Sequence, residues 1–213
     1  MARVILVTDP AFGDDRIERC IRVIAKVLPE GWLCVQIRDK VRFPASLRLF
    51  ASRLRVVTRA SGARLVINGD PRIARDVGAD GVHLGGGAGS VADARVICGA
   101  TAWVSVAAHS DDDVRSAVAD GADAALVSPV FATEATSGAQ SAPARKQGRG
   151  LQAIGSARAV ASGRVALYAL GGVTAERARA CIHAGADGIA LKRALLASDA
   201  PARVARALHD AVA

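Results

Sequence analysis

Two hydrophobic patterns alternate along the chain. Short apolar runs rich in Val, Ile, Leu and Ala fall at 3–8 (RVILVT), 33–37 (LCVQI), 65–67 (LVI), 81–84 (GVHL), 103–108 (WVSVAA), 124–131 (AALVSPVF), 165–170 (VALYAL) and 188–191 (GIAL). Runs of this length, punctuated by Gly, Pro and Asp, predict buried strands. Between them, apolar residues recur three or four positions apart. In 14–28 the stripe is Ile17, Ile21, Ile24 and Leu28, closed by Pro29-Glu30-Gly31. Comparable stretches predict helices at 47–60, 91–98, 112–119, 151–161, 175–183 and 202–213. Strands joined by helical crossovers must run parallel. The expected fold is therefore α/β, a (β/α)8 barrel forming a single domain over residues 1–213. An open doubly wound sheet is the alternative, but no G-x-G-x-x-G follows the first strand.

A short phrase repeats before three of these strands. Gly-Ala-Asp at 78–80, 121–123 and 185–187 ends a helical stretch and opens a strand. Glycine there can cap helix carbonyls in a left-handed conformation. The repeat marks a chain built from successive βα units.

The carboxyl ends of the strands carry the polar chemistry. Gln36, Arg38 and Lys40 alternate, so they share one side of strand two and its extension. Strand three delivers Asn68-Gly69. Gly171-Gly172 follows strand seven, and Lys192-Arg193 follows strand eight. Glycines let backbone amides approach an anion, and the loops after strands seven and eight are the usual phosphate cup of a parallel barrel. Alternation sends only one of Lys192 and Arg193 towards the axis, and parity alone does not say which. The segment 132–150 lacks periodicity and carries Arg145, Lys146 and Arg149; a lid over the mouth or a surface insertion is expected there. His109, at the end of strand five, is the first candidate general base, and His83, on strand four, the second. His183 and His209 fall on helices away from the mouth. Cys34 shares the parity of Gln36 but sits deeper, as an inert thiol.

Composition narrows the function classes. Net charge is +8, yet aromatics are only 3% and the arginines are dispersed, which argues against nucleic acid as a partner. There is no apolar stretch of about 18 residues and no basic-led apolar start, so neither a membrane span nor a secretion signal is expected. Cys20, Cys34, Cys98 and Cys181 show no paired spacing and read as reduced thiols of a cytoplasmic protein. A phosphorylated small molecule is the expected partner, and a homodimer is compatible with the chain.

With these residues placed, the chain resembles the family of thiamine phosphate synthases and thiazole tautomerases nearly end to end. The resemblance rests on VQIRDK (35–40), LVING (65–69), GVHLG (81–85), AHS (108–110), SPVFAT (128–133), GRG (148–150) and ALGGV…AGADGIA (169–190). It implies that Gln36, Arg38, Lys40 and Asn68 hold the pyrophosphate of an aminopyrimidine substrate, that Thr133 lies in the loop after strand six, and that Gly171, Gly172 and the tip of strand eight hold a thiazole phosphate.

Several family positions are altered. The two aspartates that hold magnesium in the synthases fall on Gly69 and Ala88, within GGGAGS (85–90). The threonine and lysine of the loop motif fall on Ala135 and Thr136, a serine after strand five on Ala107, and the tautomerase base on Pro129. A cofactor-free, metal-independent tautomerase-like isomerase is accordingly the favoured expectation. A true synthase, requiring Mg²⁺ and a shifted Asp70, is the alternative transferase reading. A non-catalytic or repurposed ligand-binding paralogue is the third.

Overall fold

The computed structural model describes residues 2–134 and 145–213. Eight parallel strands close a barrel: β1 (Val4–Val7), β2 (Leu33–Ile37), β3 (Arg64–Asn68), β4 (Gly81–Leu84), β5 (Trp103–Ala108), β6 (Ala124–Val127), β7 (Ala166–Leu170) and β8 (Gly188–Leu191). Each pairs with its neighbours in sequence, and β8 returns to β1 through Val4 opposite Ile189. Around them lie α1 (Asp14–Ala25), α2 (Pro44–Ala60), α3 (Pro71–Val77), α4 (Val91–Cys98), α5 (Asp111–Ala119), α6 (Gln152–Ala161), α7 (Ala175–His183), the short α8 (Arg193–Leu196) and α9 (Pro201–Val212). The expected (β/α)8 barrel is found. Among the described residues no helix is long and apolar enough to cross a membrane.

The departures have local causes. Strand six ends at Val127, not at 131. Ser128 still donates to Ala108, but Pro129 has no N–H, and Val130 and Phe131 then donate to Leu170 and Gly171, each at 2.9 Å. The chain thus leaves β5 while staying beside β7. Helix α2 starts three residues earlier than expected because Pro44 fits its first turn. Helix α1 stops at Ala25, although Leu28 remains buried against the sheet. Thr133–Glu134 pairs antiparallel with Arg145–Lys146 in a two-residue ribbon. Residues 135–144 of the expected lid, including Ala135 and Thr136, lie outside the described residues.

Alternation along each strand divides the apolar residues into two cores. Val4, Leu6, Val35, Ile37, Leu65 and Ile67 face outward under Ile17, Ile21 and Leu54 of the helices. Ile5, Val7, Cys34, Val66, Leu126 and Tyr168 face inward and fill the barrel. Tyr168 spans the axis near the amino-terminal end: its hydroxyl donates to the Ala2 carbonyl at 2.7 Å, and its ring meets Trp103 edge-on at 6.4 Å. Burial pushes the Cys34 thiol up to about 12, which leaves it inert.

The repeated Gly-Ala-Asp has one structural meaning in all three copies. Gly78, Gly121 and Gly185 take positive φ (62°, 71° and 109°) to end α3, α5 and α7. The aspartate then caps the strand before the one it opens: Asp80 accepts from Leu65 N at 2.7 Å, Asp123 from Val104 N at 2.7 Å and Asp187 from Leu167 N at 2.8 Å. An arginine from the packed helix locks each carboxylate, Arg55 on Asp80 in bidentate fashion at 2.6 and 3.0 Å, Arg95 on Asp123, and Arg158 on Asp187. These clamps tie helix to sheet at the amino-terminal rim. Asp80→Ala leaves Leu65 N and Arg55 unpaired and should lower stability in urea titration by about 2–3 kcal/mol, with Asp80→Asn costing less because it keeps an acceptor. A loss below about 0.5 kcal/mol would show that the clamp contributes nothing.

Candidate functional site

The inward parity that buries Cys34, Val66 and Ala190 continues upward as Gln36 and Arg38, Asn68, and Lys192. One layer above the apolar fill, the barrel therefore becomes polar. Gln36 is 2% exposed, and its Oε1 meets no donor among the described residues. His83 (4% exposed) and the fully buried Ser105 face each other on β4 and β5, with Nδ1 2.9 Å from Oγ. Burial pushes the imidazole of His83 down to about 4, and the positive charge of Arg38 acts in the same direction. His83 is therefore a neutral hydrogen-bonding group at neutral pH.

His109 lies at the outer edge of the same mouth. Its Nδ1 lies 2.8 Å from the Ser128 carbonyl, a contact that requires the proton on Nδ1 and leaves Nε2 as the basic nitrogen of the neutral ring. Its backbone N–H donates to Asp113, which also completes a capping box with Ser110 at the start of α5. The ring is thus aimed by both the β6 exit and the α5 start, and its side chain is exposed.

The loops after β1, β2 and β8 bring the charges together. Arg38 N donates to the buried Thr8 hydroxyl at 3.0 Å, which fixes the turn out of β2. Lys40 follows, exposed at the rim. Lys192 takes the inward position and places Nζ 3.0 Å from Asp9 Oδ2, with side-chain exposures of 19% and 14%. Burial raises the Asp9 carboxyl, but hydrogen bonds from Lys192 and Ala11 N, with the charges of Lys192 and Arg38, outweigh it and hold it below the usual carboxylate range. Arg193 opens α8 with its side chain exposed, off the inward parity. Of the dibasic tip, Lys192 is thus the residue turned towards Asp9 at the mouth. Asp9 was legible only as a turn residue; its place two beyond the inward-facing Val7 is the signal that would have found it.

The glycine pair is required twice over. Gly171 and Gly172 have φ of 97° and 61°, and a Cβ on either would strike the β6 exit, at 2.8 Å from Pro129 Cα and 2.7 Å from Phe131 Cβ. Arg177 holds this corner, donating to the Gly172 carbonyl at 2.9 Å and lying over the Phe131 ring at 4.7 Å. The Gly148-Arg149-Gly150 segment returns along the other side, where Arg149 N and Gly150 N donate to Pro129 and Val130. Thr133 starts the ribbon beyond this corner. His183 and His209 stay away from the mouth, on α7 and α9; His209 stacks on Trp32 at 5.3 Å.

The side chains described do not fit a divalent ion. Gly69 and Ala88 carry no ligand, and Asp70 caps α3 while both its oxygens receive Arg72. No group of three His, Cys, Asp or Glu among the described residues could hold a metal. Instead the small residues of the β4–α4 loop leave a cavity of about 390 Å³ beside the mouth, lined by Gly85, Gly86, Ser90, Ala107 and Asp113.

Comparison with known proteins bears on the family and the fold. A family model described as thiamine monophosphate synthase matches residues 4–195. Thiamine-phosphate synthases of Gloeobacter violaceus, Haloarcula marismortui and Chloroflexus aurantiacus are 35%, 33% and 35% identical, over 95%, 89% and 99% of this chain. The chain spans 55% of the length of the first of these relatives and 88% and 92% of the other two. Among solved structures, a thiamine phosphate pyrophosphorylase from Pyrococcus furiosus has a TM-score of 0.82 at 21% identity, covering 99% of this chain and 95% of that one. Orotidine 5′-phosphate decarboxylase from Pyrococcus horikoshii reaches 0.68 at 16% identity over 98% of both chains. At such identities these two speak for the barrel alone. The sequence match across nearly the whole barrel carries the assignment: the chain belongs to the thiamine monophosphate synthase family.

Proposed function

We propose that the chain is a transferase of the thiamine phosphate synthase type, which joins an aminopyrimidine pyrophosphate to a thiazole phosphate and releases pyrophosphate. The observation that carries this reading is the unpartnered Oε1 of Gln36, an acceptor 98% buried at the base of a cationic mouth. A buried acceptor without a donor is costly unless a ligand supplies one, and an aminopyrimidine does. Arg38 and Lys40 sit above it, where a pyrophosphate attached to that ring would extend. Positive charge already fixed in the mouth stabilises a departing pyrophosphate without reorganisation during reaction. Asn68 borders the same edge. The Gly171-Gly172 corner and Lys192 offer amide and ammonium donors for the second, singly phosphorylated substrate. The relatives named above, all thiamine-phosphate synthases, favour this transferase over an isomerase.

A second reading, the tautomerase expected from sequence, keeps one supporting observation, the orientation of His109 with a basic Nε2 at the mouth. The two readings separate by assay. Incubation with both phosphorylated substrates should give thiamine phosphate, and Arg38→Ala should lower kcat/KM about ten- to a hundredfold through loss of charge-assisted hydrogen bonds. No product at saturating substrate, with or without Mg²⁺, would end the transferase reading. Conversion of a thiazole carboxylate phosphate tautomer that falls a hundredfold or more in His109→Asn would establish the isomerase instead.

The neutral state assigned to His83 has its own test. A folded-state pKa below the unfolded value of about 6.5 means that the unfolded chain binds more protons between pH 6.5 and 4, so stability falls as pH drops through that window. Wild type should lose roughly 2 kcal/mol more than His83→Gln between pH 7 and pH 5 in urea titrations. Equal losses would show that His83 titrates normally.

A further inference from the structure

The loops after β3 and β4 are built to cap helices, not to ligate a cation. In the first, Asp70 Oδ1 accepts from Arg72 N, and both Asp70 oxygens accept from the Arg72 guanidinium. Gly69 beside it stands at φ 110°, where an L side chain is strained, and its N–H donates to the His83 carbonyl at 2.9 Å. An aspartate at 69 would have open space but a strained backbone. In the second, the glycines run to Ser90, which caps α4, and Asp93 accepts from the Ser90 hydroxyl at 2.7 Å. Neither loop offers a carboxylate free of a protein partner among the described residues. Hard divalent ions require several oxygen ligands, with carboxylates supplying the charge.

Positive charge enters from the other side of the mouth. Lys192, inward at the tip of β8, meets Asp9 at 3.0 Å, and Arg38 lies near enough to act on the same carboxylate. Lys192 and Arg38 thus bring two cations around Asp9, one layer above the buried Gln36. We infer that this mouth neutralises an organic pyrophosphate or phosphate ester with fixed side-chain cations, Lys192 and Arg38, in place of a divalent metal ion. The Lys192 side chain is held by Asp9 before the ligand arrives, and the Arg38 backbone is fixed through its N–H on Thr8. Little ordering of Lys192 remains to be done on binding.

The inference rests on reading the mouth as an anion site, and its test avoids turnover. Calorimetric titration with inorganic pyrophosphate, on the full chain, should give dissociation constants in EDTA and in excess Mg²⁺ that agree within about threefold. Lys192→Met keeps the stem and removes the charge; it should weaken binding tenfold or more, as should Arg38→Gln, while Arg193→Met stays within twofold of wild type. Thermal melts confirm that each variant is folded, and the EDTA comparison needs no variant at all. Binding that is tenfold or more tighter with Mg²⁺, binding unchanged in both Lys192→Met and Arg38→Gln, or no binding of pyrophosphate would each overturn the inference. An enzyme that forms thiamine phosphate only with Mg²⁺ refutes this inference and leaves the transferase reading standing. A chain that binds pyrophosphate without metal but forms no product does the reverse.

Discussion

Strand alternation on a closed surface is the constraint from which the rest follows. Once eight short strands close, every second side chain must enter a narrow interior, and that interior is filled at one end by Tyr168, Leu126, Ile5 and Cys34. The same parity then has only one place for Gln36, Arg38, His83, Ser105 and Lys192, the layer above the fill. His83 is paired there with Ser105 and Lys192 with Asp9, while Gln36 Oε1 meets no donor among the described residues. Packing at the bottom and chemistry at the top are two readings of one periodicity.

The two rims of the barrel carry different charge logic. At the amino-terminal rim, three aspartates each accept a strand N–H and an arginine, so every charge is satisfied within the protein. At the carboxyl-terminal rim, Arg38, Lys40 and Lys192 gather around the mouth, Lys192 paired with Asp9, and the glycine corner keeps side chains out of the way. Stability is concentrated where no ligand comes, which frees the opposite face for binding.

The sequence made the strands legible because parallel strands buried on both faces read as unbroken apolar runs. It made Gln36 and Arg38 legible because alternation past a strand's end is still alternation. It hid whatever depends on contacts between distant loops. Asp9 looked like a turn, since its partner Lys192 is 183 positions away. The choice between Lys192 and Arg193 needed the start of α8, a four-residue helix with no periodicity to announce it. The end of β6 needed the knowledge that Val130 and Phe131 stay on β7 after leaving β5. The loss of acidic residues at Gly69 and Ala88 was visible at once; that Asp70 is held by Arg72 was not.

What separates this mouth from one organised around a metal is the source of its positive charge. The most direct measurement is a crystal structure of the chain with inorganic pyrophosphate, grown in the presence of both Mg²⁺ and the anion. The account predicts the anion within hydrogen-bond distance of Arg38 and Lys192 Nζ, above Gln36, with no ion bridging it to the loops after β3 and β4. An anion held through a hexacoordinate ion on those loops, with Lys192 still turned to Asp9 alone, would contradict it.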